Sequence, residues 1–246
     1  MAYNAHNGFL ASYETGILNH AEHLEPLFRE REILRGVSTM LSIGIGAGNL
    51  ECELVRRHGI SLSYIERSPP MIEAVRKNIE HHGIGESVDD VFVGSFEDIR
   101  IDTIYDLILS LDSWYHMGRN LPALEKALRL RAEGGRLLIQ LMSQDRQLYW
   151  ILDQVRGLMC SNDLSTWARE KGFDHDYFEC SRWIPTSRLI PNEQPTEAFK
   201  HFVAFAKGQS WDQLPDNERH EAIQAVNSLQ RDGAIETRHG YLLFER

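Results

Sequence analysis

Residues 39–51 read TMLSIGIGAGNLE, and this stretch decides the fold. An apolar, β-prone run ends at Ile43, three glycines alternate at Gly44, Gly46 and Gly48, and a helical pattern, LECELVRRHG, occupies residues 50–59. A glycine has no Cβ and tolerates positive φ, so a glycine-rich turn between a strand and a helix lets backbone come close to a ligand. The spacing is G-x-G-x-G. A dinucleotide fingerprint, G-x-G-x-x-G/A, requires a small residue at position 49, where this chain has Asn49.

Outward from this loop, short β-rich runs alternate with helical stretches. LSYIERS (62–68) is followed by PPMIEAVRKNIEHHG (69–83), DDVFVGS (89–95), YDLILSLD (105–112), LPALEKALRLRAEGG (121–135) and RLLIQLMS (136–143). Parallel strands need crossovers, and helical crossovers cover both faces of the sheet. The pattern predicts an α/β fold with a doubly wound, mostly parallel sheet. Pro69 and Pro70 suit a helix start, where a missing N–H costs little. The first 35 residues read as helical, and Gly36 ends the run. Beyond residue 146 come amphipathic helices, a strand-like DYFECSRWIP (176–185), a loop-like IPTSRLIPNEQPTEAF (184–199) and a terminal strand GYLLFER (240–246). The expected organisation is a helical lid at 1–36, a core at 37–145, and a part at 146–246 that completes the sheet and caps the substrate.

Composition narrows the partners. The 246 residues are 42% hydrophobic and 25% charged, ordinary for a globular chain, and the formal net charge of −10 with scattered basic residues argues against nucleic acid. No apolar stretch approaches the roughly 20 residues that span a bilayer, and the first ten residues lack the features of a secretory leader, so the expectation is a cytoplasmic protein away from membranes. Cys52, Cys160 and Cys180 show no metal or redox spacing and read as buried thiols. His20 with His23, and His81 with His82, lack a third ligand at sensible spacing, so no metal is expected. The sequence carries no signal for oligomeric state.

Glu66 ends the second predicted strand, at the sheet edge where open α/β folds bind ligands. A carboxylate there accepts hydrogen bonds from a ribose diol; a solvated acid paired with Arg67 is the alternative. Taken in order, MLSIGIGAGNLE, IERSPPMIEA, VFVGSFEDI, YDLILSLDSWYHM and EGGRLLIQL resemble the motif series of class I methyltransferases that use S-adenosylmethionine. The resemblance implies a seven-stranded sheet of order 3-2-1-4-5-7-6 with the last strand antiparallel. It also implies that Gly44, Gly46 and Gly48 pass under the methionine and ribose of the cofactor, that Glu66 holds the ribose hydroxyls, and that Ser95, Phe96 and Leu111 line the adenine pocket. Many members carry an acid two positions before the first glycine. Ser42 stands there instead, as in histamine N-methyltransferase, which the chain also resembles in LNHAEH (18–23), SWYHM (113–117), QLYWIL (147–152) and SNDLSTWAREKGF (161–173).

Those resemblances imply N-methylation of a small-molecule amine or imidazole. O- or C-methylation, a nicotinamide-dependent oxidoreductase on a similar sheet, and a cofactor-binding module without activity stay open. Glu22 matches the lid glutamate that anchors a substrate ammonium, against the alternative of an exposed helix face. Asp112 stands where the histamine enzyme carries glutamine and favours a cationic group; a loop or cap aspartate is the other reading. Tyr115 and Trp150 suit stacking on a heterocycle or facing a cation, although aromatics at helical spacing also serve as core. His116, with Tyr115, is the expected aid to proton release, its reference pKa lying near 6.5.

Overall fold

In the computed structural model, which describes residues 10, 12, 16–17, 21–144, 148–152 and 159–245, the apolar run before the glycines is a strand, β1 (Thr39–Ile43). A helix, α1 (Ala21–Glu30), precedes it. The alternation then runs α2 (Asn49–His58), β2 (Ser61–Glu66), α3 (Pro69–His82), β3 (Val88–Val93), β4 (Tyr105–Leu111), α4 (Leu121–Arg129) and β5 (Arg131–Met142). Beyond β5 lie α5 (Leu148–Leu152), α6 (Ser161–Glu170), β6 (Asp176–Pro185), α7 (Glu197–Lys207), α8 (Asp216–Leu229), β7 (Gln230–Arg231) and β8 (Ala234–Phe244).

The strands form one sheet of order β3-β2-β1-β4-β5-β8-β6. β1 pairs in parallel with β2 and β4, β2 with β3, and β4 with β5; β8 runs antiparallel to β5, with Met142 opposite His239 and Gln140 opposite Tyr241. Leu107, Ile108 and Leu109 in the middle of β4 are all fully buried, so both faces of that strand are covered, as helical crossovers require. Each such side chain contributes roughly 1.5–3 kcal/mol by leaving water.

Several boundaries differ from the sequence reading: the helix expected to run to Gly36 ends at Glu30, and the last strand begins at Ala234 rather than Gly240. The sheet has eight strands rather than seven, because Gln230–Arg231 folds back on Ala234 and Ile235 through Asp232 (φ 51°) and Gly233 (φ 75°). An Asp-Gly pair with both φ positive is the tight hairpin turn whose twist suits paired strands. The helix expected over 121–135 stops at Arg129, and β5 begins at Arg131. Arg131 pairs with Tyr105, whereas Arg136 pairs with Leu107, so the extra residues form an irregularity containing Gly134 and Gly135; a Cβ on Gly135 would lie 2.9 Å from the carbonyl oxygens of Ala132 and Tyr105. Cys180 is half-buried, unlike Cys52 and Cys160.

The chain packs as two units. One comprises Ala21–Ser143, Met159–Glu179 and His239–Arg246 and holds the glycine loop; the other comprises Met1–His20, Gln144–Leu158 and Cys180–Arg238. In the second unit Thr196 caps α7 by accepting from the Phe199 N–H at 3.1 Å, and the Phe199 ring packs 6.3 Å from that of Trp211. Among the described residues no helix is long and apolar enough to cross a membrane.

The glycine turn is shaped from outside by its neighbours. Gly44 has φ 69°, and a Cβ there would sit 2.6 Å from the Cβ of Ser113, whose hydroxyl donates to the Ile43 carbonyl at 2.6 Å. Gly44→Ala therefore combines a left-handed backbone with a steric clash, and we expect a loss of about 2 kcal/mol or more. Urea denaturation checks this; an unchanged midpoint would show that the contact is slack.

Candidate cofactor and acceptor site

All three loop glycines have positive φ, at 69°, 59° and 70° for Gly44, Gly46 and Gly48. Gly48 sits at the N-terminus of α2, and a Cβ on it would meet Val75 of α3 at 2.8 Å. Asn78, also on α3, donates through its side chain to the Ala47 carbonyl at 2.8 Å and to Asn49 Oδ1 at 2.7 Å. Asn49, the residue that breaks the dinucleotide fingerprint, thus helps to bind α2 to α3.

Glu66 is buried, 7% exposed, at the carboxyl end of β2. The Gly46 N–H donates to its Oε2 at 2.9 Å, while the Arg67 and Ser68 N–H groups both donate to Oε1 at 2.8 Å. The acid therefore locks the centre of the glycine turn to the end of β2 rather than standing solvated. A carboxylate offers about four acceptor directions. Oε1 has two donors and Oε2 one, so an acceptor direction remains on Oε2 for a ligand hydroxyl.

Below the loop lies a second carboxyl group that the sequence reading missed. Glu51, in the first turn of α2, is 4% exposed, and Ser42 Oγ donates to its Oε1 at 2.7 Å. The acid absent at position 42 is thus supplied nine residues later by a helix that returns over the strand. Burial is the larger influence on Glu51 and raises its pKa, against the lowering effect of the Ser42 hydrogen bond.

Ser95 is half-buried after β3. Phe96 is 3% exposed, with the ring of Trp114 6.4 Å away and the Lys126 ammonium 4.5 Å from its centroid; the ammonium also donates to the Phe96 and Ile99 carbonyls. Leu111 is half-buried at the end of β4, opposite Gln140 of β5. Immediately after it, Asp112 adopts φ 46°, unusual for a residue with a side chain, and its N–H donates to the Gln140 carbonyl at 3.0 Å. Gln140 Nε2 donates back to Asp112 Oδ1 at 3.1 Å, and His239 Nε2 lies 3.9 Å from Asp112 Oδ2. Gln140 and His239, both buried, were not among the expected residues, because neither lies in a motif and only the pairing of β5 with β8 brings them together.

Tyr115 and His116 follow in a short 3-10 turn, ring centroids 4.1 Å apart. Tyr115 is half-buried against the core and His116 is exposed. Surrounding protein first, and the Arg67 charge second, push the His116 imidazole down to about 4, so it is neutral at pH 7 and a much weaker base than the reference value implied. It suits accepting a hydrogen bond better than carrying a proton. Glu22 lies on α1 and Trp150 on α5, but their side chains lie outside the described residues. The sheet thus gathers the glycine turn, Glu66, Ser95, Leu111, Asp112 and the 115–116 turn at the carboxyl ends of its parallel strands. A groove of about 240 Å³ lined by Phe28, Arg29, Leu34 and His58 lies at the other end of α2, away from that edge.

Residues 41–139 match the family model described as "Methyltransferase domain". The match covers about 40% of the chain, and over that stretch the chain is similar to methyltransferase domains. A curated relative, sarcosine/dimethylglycine N-methyltransferase of Aphanothece halophytica, is 29% identical over 97 residues; this covers 39% of the chain and 35% of the relative, so the chain matches about a third of that protein's length. Among solved structures, a proposed sarcosine dimethylglycine methyltransferase of Galdieria sulphuraria aligns over 93% of this chain and 85% of its own, with TM-score 0.59 and 20% identity. A proposed methyltransferase of Bacillus halodurans aligns over 91% and 98%, with TM-score 0.60 and 14% identity. At these identities the two likenesses show the fold alone, over most of the chain.

The buried acid under the loop has a consequence for pH. In the unfolded chain Glu51 ionises near 4.5, and in the folded chain its pKa is raised. The folded state therefore holds the proton more tightly. The contribution is fully present below about 4.5 and is lost as pH rises through the raised folded value. Glu51→Gln keeps an acceptor for Ser42 and has no proton to lose, so its melting temperature relative to the parent should rise between pH 5 and 8. A relative fall over that range would contradict the assignment.

Proposed function

We propose that this chain transfers a methyl group from S-adenosylmethionine to a nitrogen of a small molecule, an amine or an imidazole. The observation that carries the proposal is the buried Glu66 carboxylate fastened to the Gly46 N–H at the carboxyl edge of the sheet, within the residues that match a methyltransferase domain. A glycine turn whose backbone is open to close approach, beside a carboxylate with an acceptor direction left on Oε2, fits an adenosyl ligand. In this reading Gly44, Gly46 and Gly48 run under the methionine and ribose, Glu66 takes a ribose hydroxyl, and Ser95, Phe96 and Leu111 flank the adenine. Lys126 occupies one face of the Phe96 ring. When bound, the cofactor supplies a methyl group on a positively charged sulfur, already activated for displacement.

What remains for the protein is alignment. Holding a neutral nitrogen about 3–3.5 Å from the methyl carbon, in line with the bond that breaks, removes several kcal/mol of barrier. An aliphatic amine is protonated at pH 7 and must first lose its proton, whereas a neutral imidazole nitrogen need not. Tyr115 and the neutral His116 would orient the acceptor, and Asp112 would attract a cationic nitrogen. The amine methylation named for the Aphanothece relative supports nitrogen over oxygen or carbon, and the likeness to the histamine N-methyltransferase subfamily points the same way. Residues 1–36 as a lid with Glu22, and residues 146–246 as a cap with Trp150, belong to the same reading.

Calorimetry with S-adenosylhomocysteine tests it. Binding by the parent chain should weaken about 10- to 100-fold on Glu66→Ala, the range expected when a buried charged acceptor is removed. No binding at millimolar ligand, or equal binding by the variant, would defeat the proposal.

A further inference from the structure

Asp112 is flanked by two buried polar side chains from different strands. Its φ of 46° lies in the left-handed region, which aspartate enters more readily than most residues with a side chain. Here the surroundings are specific. Gln140 contributes both ends of a two-point clasp: its carbonyl accepts from the Asp112 N–H at 3.0 Å and its side-chain Nε2 donates to Asp112 Oδ1 at 3.1 Å. His239 comes from β8, which faces β5 antiparallel, and brings Nε2 within 3.9 Å of Asp112 Oδ2, too long for a hydrogen bond and within ion-pair range.

The two supporting groups are sealed off from water while the acid is not. Gln140 is 0% and His239 1% exposed, whereas the Asp112 side chain keeps 13% of its surface. Among the described residues Gln140 Oε1 has no hydrogen-bond partner, so the amide is kept there at a cost while its Nε2 serves Asp112. The next residue, Ser113, abuts Gly44, so the acid stands one residue from the glycine turn. The clasp thus holds a carboxylate at the carboxyl end of β4, the strand that pairs with β1 before the glycine turn.

We propose that Gln140 and His239 are positioning residues that hold Asp112 as the receptor for a cationic nitrogen, and that this trio selects amine acceptors over neutral ones. The proposal rests on the methyltransferase reading. Gln140 takes up Oδ1 and fixes the plane of the carboxylate, and His239 borders Oδ2 and limits its swing. An ammonium or imidazolium N–H bonded to the exposed part of that carboxylate would be placed beside the glycine turn before it gives up a proton. A phenol or thiol would gain no such charge-assisted bond.

The test measures amine binding to protein saturated with S-adenosylhomocysteine, using sarcosine, dimethylglycine and histamine by calorimetry. Asp112→Asn should weaken the tightest-binding amine about tenfold or more. Gln140→Leu and His239→Leu should each weaken it about 3- to 10-fold in the parent, yet have little further effect in the Asp112→Asn background, because all three act through one carboxylate. His239→Gln should recover most of the loss, and S-adenosylhomocysteine affinity should stay within about twofold throughout, which also reports that the variants fold. Additive losses, equal amine binding by Asp112→Asn, or no amine binding by the loaded parent would overturn the proposal. Failure of the underlying reading has a separate signature, since the parent would then not bind S-adenosylhomocysteine.

Discussion

The hydrogen bond from the Gly46 N–H to the buried Glu66 carboxylate is the constraint on which the site depends. It joins the middle of a turn with three positive φ values to the end of the neighbouring strand, so the turn cannot shift without unpairing a buried charge. A carboxylate that also accepts from Arg67 and Ser68 is fixed in position before any ligand arrives. Rigid placement of recognition groups lowers the ordering cost of binding. The strand order does the rest, setting β1 and β4 side by side so that Ser113 closes on Gly44 from the opposite flank.

Around this bond the chain makes substitutions that leave the geometry intact. Ser42 and Glu51 together place a carboxyl group where the strand itself lacks one, with burial holding the proton on that group more tightly than water would. Asn49, which argued against a dinucleotide site, is bonded to Asn78, and Asn78 also holds the Ala47 carbonyl. Both pairs join segments distant in sequence. They stabilise the loop from below and from the α3 side, while Glu66 holds it from the β2 side.

Much of the fold was legible because it rests on local periodicity. The glycine turn, the Pro69-Pro70 helix start and the strand at 176–185 follow from patterns that neighbouring residues express, whereas the strand order with an antiparallel last strand was implied by the methyltransferase resemblance. The break at Leu130 was not legible, since helix-forming residues 131–133 are drawn into β5 by pairing with β4, a tertiary effect that propensity does not record. The small β7 hairpin did carry a signal in Asp232-Gly233, overlooked beside the stronger helix before it. In the site, Glu66 and the glycines were visible from motif spacing. Gln140, Glu51 and His239 were not, because their meaning depends on which strand or helix lies beside them. His116 was visible as a residue, but the lowering of its pKa depends first on the surrounding protein and then on Arg67.

The central claim is that the fastened turn and Glu66 are a seat for an adenosyl group carrying a charged sulfur. A crystal structure of the chain with S-adenosylhomocysteine tests this most directly. A ribose hydroxyl is expected on Glu66 Oε2 and the sulfur above the backbone of residues 44–48, with the Gly46 hydrogen bond retained. Ligand density elsewhere, or a Glu66 carboxylate turned away from both the loop and the ribose, would contradict it.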